Sequence, residues 1–298
     1  MLPTTAAGPF GEVLTAMVTP FADDGSVDLT AVRRLASHLI ETGSDGIVAT
    51  GTTGESPTLS AVEKLSVYEA VVDEVGDRAS VVAGTGTYDT AESVHLSKEA
   101  AGLGVDAVMA VTPYYSKPEQ AGLRAHFEAI ADATHLPLLV YNIPGRTGRR
   151  IELRTLADLA QHPNVVATKD AVMDLDFTSE TVRTIPGLAL YSGQDSYTWP
   201  MMAVGAVGVV SVTAHLIGPQ VKAMVQAANR GDVADARRLH HAMLPTCWAC
   251  FLESNPAPVK SALSATWEPV GAPRLPMLPA SDATVQAIKD AVAGLSDS

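Results

Sequence analysis

Cysteine is nearly absent from this sequence. Cys247 and Cys250 are the two cysteines among 298 residues. A structural zinc site needs four ligands, and no second CxxC or HxxxH pair accompanies them. A thioredoxin-like motif would lie between a strand and a helix, whereas this pair lies within a stretch of helical pattern. We therefore expect two packed thiols one helical turn apart, and no metal site.

Positive charge is also scarce. The chain has 20 Lys and Arg residues against 33 Asp and Glu residues, a net charge of −13. Nucleic acids and anionic membrane surfaces attract basic proteins, so we expect neither as a partner. No Lys or Arg precedes Arg33, so the chain lacks the basic start of a signal peptide. We expect a cytoplasmic protein.

One long segment lacks charged residues. No Asp, Glu, Lys or Arg occurs from Ser196 to Val221, which is long enough to suggest a membrane span. Pro200 and Pro219 bracket the segment, and glycines and polar side chains interrupt it. A short helix followed by a buried strand is the better interpretation.

Short apolar runs alternate with amphipathic segments rich in Ala, Leu and Glu. The runs predict the strands Val13–Thr19, Gly46–Thr50, Ser80–Ala83, Asp106–Val111, Leu138–Asn142, Val165–Lys169, Leu188–Ser192 and Gly208–Val212. The segments between them predict helices such as Leu29–Thr42, Ala61–Val75, Ala91–Leu103 and Glu119–Ala133. This alternation indicates an α/β protein with a closed (β/α)₈ TIM barrel. A doubly wound open sheet is disfavoured because the first strand–helix turn lacks a dinucleotide-binding glycine pattern.

The alternation stops after about Gly231. Three predicted helices with proline-rich connections follow it, Asp232–Glu253, Pro258–Thr266 and Ser281–Leu295. We therefore divide the chain into a barrel, residues 1–231, and a C-terminal helical appendage, residues 232–298.

Lys169 ends the sixth predicted strand. In such barrels the active site lies at the C-terminal ends of the strands, and this side chain would point into a low-dielectric interior. Burial lowers the pKa of an ammonium group, which frees the amine to attack a carbonyl. The alternatives are a structural pair with Asp170 or a lysine that extends to solvent. We favour the nucleophile, because Tyr141 ends the neighbouring strand and can move protons.

Two strand ends carry groups suited to carboxylates. Strand two ends in GTTGES, where Thr52 and Thr53 offer hydroxyls beside exposed amides. The alternative interpretation is a tight turn with a helix cap. A phosphate-binding loop is disfavoured, because Thr52 stands where such a loop would need lysine. Strand five ends in YNIPGRTG, where Arg146 presents a planar fork that fits a carboxylate. The alternative for Arg146 is a surface ion pair.

Three further positions are candidates by location. Strand four ends in TPYYSKP, in which Tyr115 or its neighbour could serve a site or an interface, or simply pack in the loop. Gly193 follows strand seven and would leave room for a ligand. Val210 on strand eight could wall the pocket, although a buried barrel valine is the default. HExxH, GxSxG and paired carboxylates are absent from the sequence, so a metalloenzyme or serine hydrolase has little support.

Seven motifs occur together along nearly the whole chain: GTTGE, TPYYSKP, YNIPGRTG, the strand-six lysine, SGQD, GVVSVTAH and NPAPVK. In this order they resemble the dihydrodipicolinate synthase and N-acetylneuraminate lyase family of Schiff-base aldolases. The Thr52–Thr53 pair and Arg146 are more similar to the synthase branch than to the sialate lyases.

The resemblance implies an aldol-type reaction on a lysine imine. Lys169 would form an imine with pyruvate, and loss of a methyl proton would give an enamine. The enamine would attack the aldehyde of L-aspartate 4-semialdehyde, whose amino group would then displace Lys169 and close the ring. This is a step of lysine and diaminopimelate biosynthesis, and it needs no metal or organic cofactor.

The resemblance also implies roles for the other residues. Tyr141, Thr52 and Tyr115 match the family's proton relay, with Tyr115 reaching in from a neighbouring subunit of a homotetramer built from two tight dimers. Thr53 would hold the pyruvate carboxylate, and Arg146 the carboxylate of the semialdehyde.

The residues that match the lysine-binding cleft of inhibited relatives predict how this chain is regulated. Lysine-inhibited relatives use histidine and asparagine side chains in a cleft at the tight-dimer interface. Ala61, Lys64 and Tyr88 occupy those places here, whereas Ser56 and Glu92 remain, so we expect weak lysine inhibition.

Two alternatives stay open for the function: another aldolase of the family that acts on a sugar acid, or a non-catalytic barrel that binds a metabolite and regulates a partner.

Overall fold

Eight parallel strands form a closed barrel in the computed structural model, which describes residues 8–295. Their order around the barrel follows the chain, and the last strand pairs with the first. The strands are β1 (Val13–Ala16), β2 (Gly46–Ala49), β3 (Ser80–Gly84), β4 (Ala107–Val111), β5 (Leu138–Asn142), β6 (Val165–Asp170), β7 (Ala189–Ser192) and β8 (Gly208–Ser211). The predicted (β/α)₈ TIM barrel is confirmed, although β1 ends earlier than the apolar run that predicted it.

Helices alternate with these strands and then continue beyond the barrel. They are α1 (Leu29–Glu41), α2 (Ala61–Val75), α3 (Thr90–Gly102), α4 (Gln120–Asp132), α5 (Pro144–Thr147), α6 (Leu153–Leu159), α7 (Leu175–Thr184), α8 (Thr198–Ala203), α9 (Ala214–Asn229), α10 (Val233–Ala249), α11 (Ala257–Thr266) and α12 (Asp282–Leu295). Helix α9 is kinked at Ile217, two residues before Pro219. The kink fits the inability of proline to continue a helical hydrogen-bond ladder.

Local sequence signals fix where helix α2 begins. The Ser60 hydroxyl accepts a hydrogen bond from the Glu63 amide, and the Glu63 carboxylate accepts one from the Ser60 amide. This reciprocal pair satisfies two amide groups that the first helical turn leaves free. The cap fixes the end of the GTTGES turn relative to the barrel.

Two apolar layers hold the fold together. A layer between the strands and the surrounding helices contains residues such as Leu35, Val71 and Phe127. A second cluster fills the inside of the barrel, with Tyr141 and Val210 among its members. Filling the interior with side chains leaves room for a ligand only at the barrel mouth.

The uncharged segment folds into the barrel. It forms α8, β8 and the first part of α9, as the sequence predicted. Within residues 8–295, no helix combines the length and the hydropathy that crossing a membrane requires.

Beyond β8, helix α10 packs against α9, and α12 packs against α10 and α11. This confirms the predicted C-terminal helical appendage, while the division at residue 231 remains our proposal. Cys247 and Cys250 are free thiols buried at the C-terminal end of α10, where burial raises both pKa values. In the described part of the chain, no group of three or more His, Cys, Asp or Glu side chains is arranged to hold a metal ion.

Candidate active site

Lys169 lies at the mouth of the barrel with its amine enclosed. The residue is 4% exposed, and its Nζ lies 4.1 Å from the centre of the Tyr141 ring. Among residues 8–295, no side chain or carbonyl forms a hydrogen bond or an ion pair with this nitrogen. Burial lowers the pKa of Lys169 to about 7, with the negative charge of Asp195 opposing the shift and the positive charge of Arg146 adding to it. A large share of the amine is therefore uncharged at neutral pH.

Tyr141 is the aromatic neighbour of this amine. Strands β5 and β6 pair in a register that sets Tyr141 directly beside Lys169. Burial raises the pKa of Tyr141 to about 12, against the opposing effects of the Arg146 charge and a hydrogen bond from the Thr52 side chain. The phenol therefore keeps its proton at neutral pH and is suited to donate it.

Asp195 supplies the opposing negative charge. Its carboxylate accepts hydrogen bonds from the Ser211 hydroxyl and from the amides of Val212 and Thr213, at 2.9 and 3.2 Å for the two amides. These bonds fix the carboxylate between β7 and the end of β8. Its charge therefore acts on Lys169 from a fixed position.

A cavity of about 190 Å³ opens beside Tyr141. Its walls come from the ends of β2, β3, β4 and β5, and Thr52, Tyr141 and Arg146 all line it. Three of the predicted site residues thus meet at one cavity.

Thr53 and Arg146 are linked by a residue that the sequence analysis gave no role. The Asn255 amide Nδ2 donates to the Thr53 hydroxyl at 2.9 Å, and Arg146 donates through Nη2 to the backbone carbonyl of Asn255 at 3.1 Å. Thr53 itself is buried. Asn255 opens the NPAPVK motif, which was the signal available in the sequence.

A buried ion pair between Lys260 and Glu55 stabilises the turn that carries Thr53. Lys260 on α11 donates to the Glu55 carboxylate at 2.7 Å and to the Thr19 carbonyl at 2.8 Å. Glu55 has a left-handed backbone with φ of 57° and also accepts from the Arg274 amide at 2.8 Å. A buried residue with a strained backbone, such as Glu55, is common at ligand-binding sites.

Tyr115 lies outside the cavity of its own chain. It is 93% exposed and has a left-handed φ of 67°, whereas its neighbour Tyr114 lines the cavity and packs edge-on against Tyr88. The position suits the prediction that Tyr115 serves a neighbouring subunit, and that role stays a prediction.

Gly193 and Val210 are not part of the cavity wall. A Cβ at Gly193 would lie 3.0 Å from the Ala171 side chain and 3.1 Å from the Asp170 carbonyl, so the glycine allows β6 and β7 to approach closely. Val210 is buried in the cluster inside the barrel. Substrate contact by either residue remains a prediction.

Comparison with known proteins places this arrangement in a family. The sequence model of the Dihydrodipicolinate synthetase family matches residues 9–294. The chain belongs to that family. The 4-hydroxy-tetrahydrodipicolinate synthase of Synechococcus elongatus is 51% identical over 94% of this chain and 94% of its own. The resemblance inferred from the motifs is confirmed, and the chain is that of an enzyme.

Solved members of the family share the fold. The crystal structure of dihydrodipicolinate synthase from Bacillus anthracis is 42% identical, with a TM-score of 0.93 over 97% of this chain and 99% of that one. The structure from Cyanidioschyzon merolae with lysine bound is 41% identical, with a TM-score of 0.94 over 96% and 98%.

The sequence analysis missed the contribution of β3 to this family's site. Gly84 and Gly86 line the cavity. A Cβ at Gly86 would lie 2.4 Å from the Val111 amide nitrogen, so the glycine is required where β3 and β4 end side by side. The signal was present as GTGT after the third strand, a second glycine-rich turn like the one after the second.

Proposed function

We propose that this chain condenses pyruvate with L-aspartate 4-semialdehyde through an imine on Lys169, giving 4-hydroxy-tetrahydrodipicolinate and water. One observation carries the proposal: a buried lysine, whose pKa is about 7 and whose amine bonds to no group within residues 8–295, lies against a tyrosine that lines a cavity. The family and the name of a relative that is 51% identical support the choice of substrates.

Imine formation begins with the uncharged amine of Lys169. Its lone pair attacks the keto carbon of pyruvate, and the keto oxygen becomes the hydroxyl of a carbinolamine. Tyr141 donates its proton to that hydroxyl, water leaves, and the C=N bond of the imine forms. The phenolate of Tyr141 then regains a proton through the Thr52 hydroxyl, which bonds to it and takes up a proton from solvent water in exchange.

The imine then serves as the electron sink. A methyl proton leaves, and the resulting enamine carbon attacks the aldehyde carbon of the semialdehyde, whose oxygen takes up a proton. The amino group of the second substrate attacks the imine carbon, closes the ring and releases Lys169. Arg146 lines the cavity and presents its guanidinium to the carboxylate of the semialdehyde, while Thr53 bonds to the carboxylate of pyruvate.

The proposal extends to the assembly. A homotetramer of two tight dimers would bring Tyr115 of one subunit to the cavity of another. The exposure of Tyr115 beside the cavity-lining Tyr114 supports this arrangement. We further propose that the enzyme works in the cytoplasm, on small molecules alone and without a metal or organic cofactor.

Intact-mass analysis after treatment with pyruvate and borohydride tests the imine. The wild-type chain should gain the mass of one pyruvate less one oxygen atom, whereas Lys169→Ala should gain nothing. An unchanged wild-type mass would contradict the proposal and favour a metabolite-binding barrel.

Coupled assays then separate the substrates. Turnover with aspartate semialdehyde is expected, whereas turnover with sialic acid alone would assign the chain to the sugar-acid aldolases.

A further inference from the structure

Asn255 is a buried residue that touches two candidate substrate-binding residues at once. It is 5% exposed, donates through Nδ2 to the Thr53 hydroxyl at 2.9 Å, and accepts from Arg146 at its backbone carbonyl at 3.1 Å. It comes from the C-terminal region, 202 residues beyond Thr53 in the chain. No wall of the cavity is formed by Asn255 itself.

The hydrogen bond to Thr53 has a direction with a chemical consequence. A hydroxyl has one hydrogen to donate and two lone pairs to accept with. Because Asn255 donates to the oxygen of Thr53, the hydroxyl hydrogen is left for another acceptor. Within the described residues, the Thr53 hydroxyl donates to no group. A carboxylate is the acceptor that would bind such a hydrogen most strongly.

The backbone that follows Thr53 is held by contacts to other parts of the fold. The Thr19 hydroxyl donates to the Gly54 carbonyl at 2.6 Å, and a Cβ at Gly54 would lie 2.9 Å from the Thr50 Cα. Lys260 binds Glu55, the residue after Gly54. Lys260 lies on the same C-terminal segment as Asn255. With the backbone fixed, the orientation of the Thr53 hydroxyl depends on Asn255.

The rest of the Asn255 amide is not arranged for maximum stability. Its Oδ1 is buried and accepts no hydrogen bond from any described residue. Leaving such an acceptor unsatisfied costs on the order of 1–3 kcal/mol. A buried polar atom without a partner is uncommon in folded proteins, which sets Asn255 apart from an ordinary structural asparagine.

We propose that Asn255 is a positioning residue that keeps the hydroxyl of Thr53 available as a donor to the carboxylate of the keto acid bound at Lys169. The inference rests on the proposed function, because it takes the keto acid to bind there. Asn255 does not touch the substrate and acts through Thr53.

Steady-state kinetics of Asn255→Ala tests the direction of the hydrogen bond. Removing the amide lets the Thr53 hydroxyl rotate away, so the KM for pyruvate should rise about 5-fold, the worth of one ordinary hydrogen bond. The kcat should change less than the KM, because the lost interaction is present in both ground and transition states. If Thr53 instead donated to the Asn255 side chain, truncation would free its hydrogen, and the KM would fall. An unchanged or lower KM overturns the proposal.

A double-mutant cycle with Thr53→Val shows whether Asn255 acts through Thr53. The KM of the double variant should equal that of Thr53→Val within about 2-fold, because no hydroxyl remains to be positioned. Equal multiplicative effects in both backgrounds would overturn the proposal.

Asn164→Ala is the matched structural control. That amide donates to the carbonyls of Ala131 and Thr134 at 2.9 and 3.0 Å, just before β6 and at the far end of the barrel. Its loss should lower the unfolding temperature and leave the KM for pyruvate unchanged. A KM shift in this control as large as that in Asn255→Ala would reduce Asn255 to a structural role and overturn the proposal.

Asn255→Ser supplies the measurement if Asn255→Ala does not fold, since the serine hydroxyl is too short to reach Thr53. The same rise in KM is expected from it. Borohydride trapping of pyruvate on the wild type separates the two levels of failure. A trapped adduct with an unchanged KM in the variants overturns this inference alone, whereas no wild-type adduct overturns the proposed function as well.

Discussion

Two lysines are buried near the barrel mouth, and they are held in opposite ways. Lys260 is fully buried, and its ammonium is bound by the Glu55 carboxylate and the Thr19 carbonyl. Lys169 is almost as buried, but within the described residues its amine contacts the face of the Tyr141 ring and forms no hydrogen bond or ion pair. Burial lowers the pKa of both, and of these two lysines it is Lys260 whose pKa a directly bonded carboxylate raises in opposition. The comparison indicates that a missing partner, more than burial, distinguishes the proposed nucleophile from the structural lysine.

Lys169→Met should produce the largest effect. Loss of the nucleophile should lower kcat about 10³-fold or more. The variant should also be more stable at pH 7, by on the order of 4 kcal/mol, because folding no longer has to lower a lysine pKa from 10.5 to about 7. Activity assays and chemical denaturation at pH 7 measure both effects.

The sign of this gain follows from proton binding. Between about pH 7 and 10.5 the unfolded wild type binds more protons at Lys169 than the folded one, so its stability rises with pH there. The gain of Lys169→Met should therefore be full at and below pH 7 and vanish toward pH 10.5. A destabilised Lys169→Met would show that Lys169 is bound as Lys260 is.

Lys260→Met should have the opposite effects: it should lower the stability of the fold and leave imine formation on Lys169 intact. It leaves the Glu55 carboxylate buried without its cation, which should destabilise the fold by about 3–5 kcal/mol. Adding Glu55→Gln should recover much of that loss. Pyruvate should still be trapped on Lys169 in both variants, and denaturation curves with intact-mass analysis measure the two effects. Loss of trapping in a folded Lys260→Met variant would contradict the division of roles.

Asp170 extends the comparison to a buried carboxyl group. Its Oδ2 is buried without a hydrogen-bond partner in the described structure, and burial raises the pKa of Asp170 to about 7. Between about pH 4 and 7 the folded state binds more protons than the unfolded state, so the wild type loses stability as the pH rises.

Asp170→Asn should remove that loss and be more stable than the wild type at pH 8, by on the order of 4 kcal/mol. The variant keeps an acceptor for the Val172 amide. Thermal denaturation at pH 5 and pH 8 tests this, and an equal effect at both pH values would contradict it.

Added L-lysine should have the smallest effect on the rate, and the reason is the position of Lys64. Its side chain is buried with its pKa lowered, and the charge of Glu92 opposes that shift. The side chain of Lys64 thus already lies near Glu92, which matches the acidic residue of the cleft in lysine-inhibited relatives, so added L-lysine should barely change the rate. Initial rates with increasing L-lysine test this expectation, and strong inhibition at millimolar concentration would refute it.

The sequence was sufficient for the architecture and for the placement of Lys169 beside Tyr141. Alternating periodicity predicts eight strands, and the strand-end rule then brings Lys169 and Tyr141 together, because both statements depend on local pattern. The end of β1 was misjudged, since the apolar run continues to Thr19 after pairing stops at Ala16.

Contacts between distant segments could not be predicted in this way. Asn255 reaches Thr53 across 202 residues, and no local pattern specifies that approach. Position 193 is a glycine because a side chain there would crowd the end of β6. That crowding can be recognised only once the barrel is closed. The proposed role of Tyr115 would depend on a second chain, which no pattern within one sequence positions.

The pH dependence of imine formation tests the central claim most directly. The wild type is mixed with pyruvate at a series of pH values and the imine is trapped with cyanoborohydride at timed intervals. If the amine of Lys169 is uncharged at neutral pH, the initial rate should rise with pH and reach half its maximum near pH 7. A midpoint near pH 10, the behaviour of an ordinary lysine, would contradict the account.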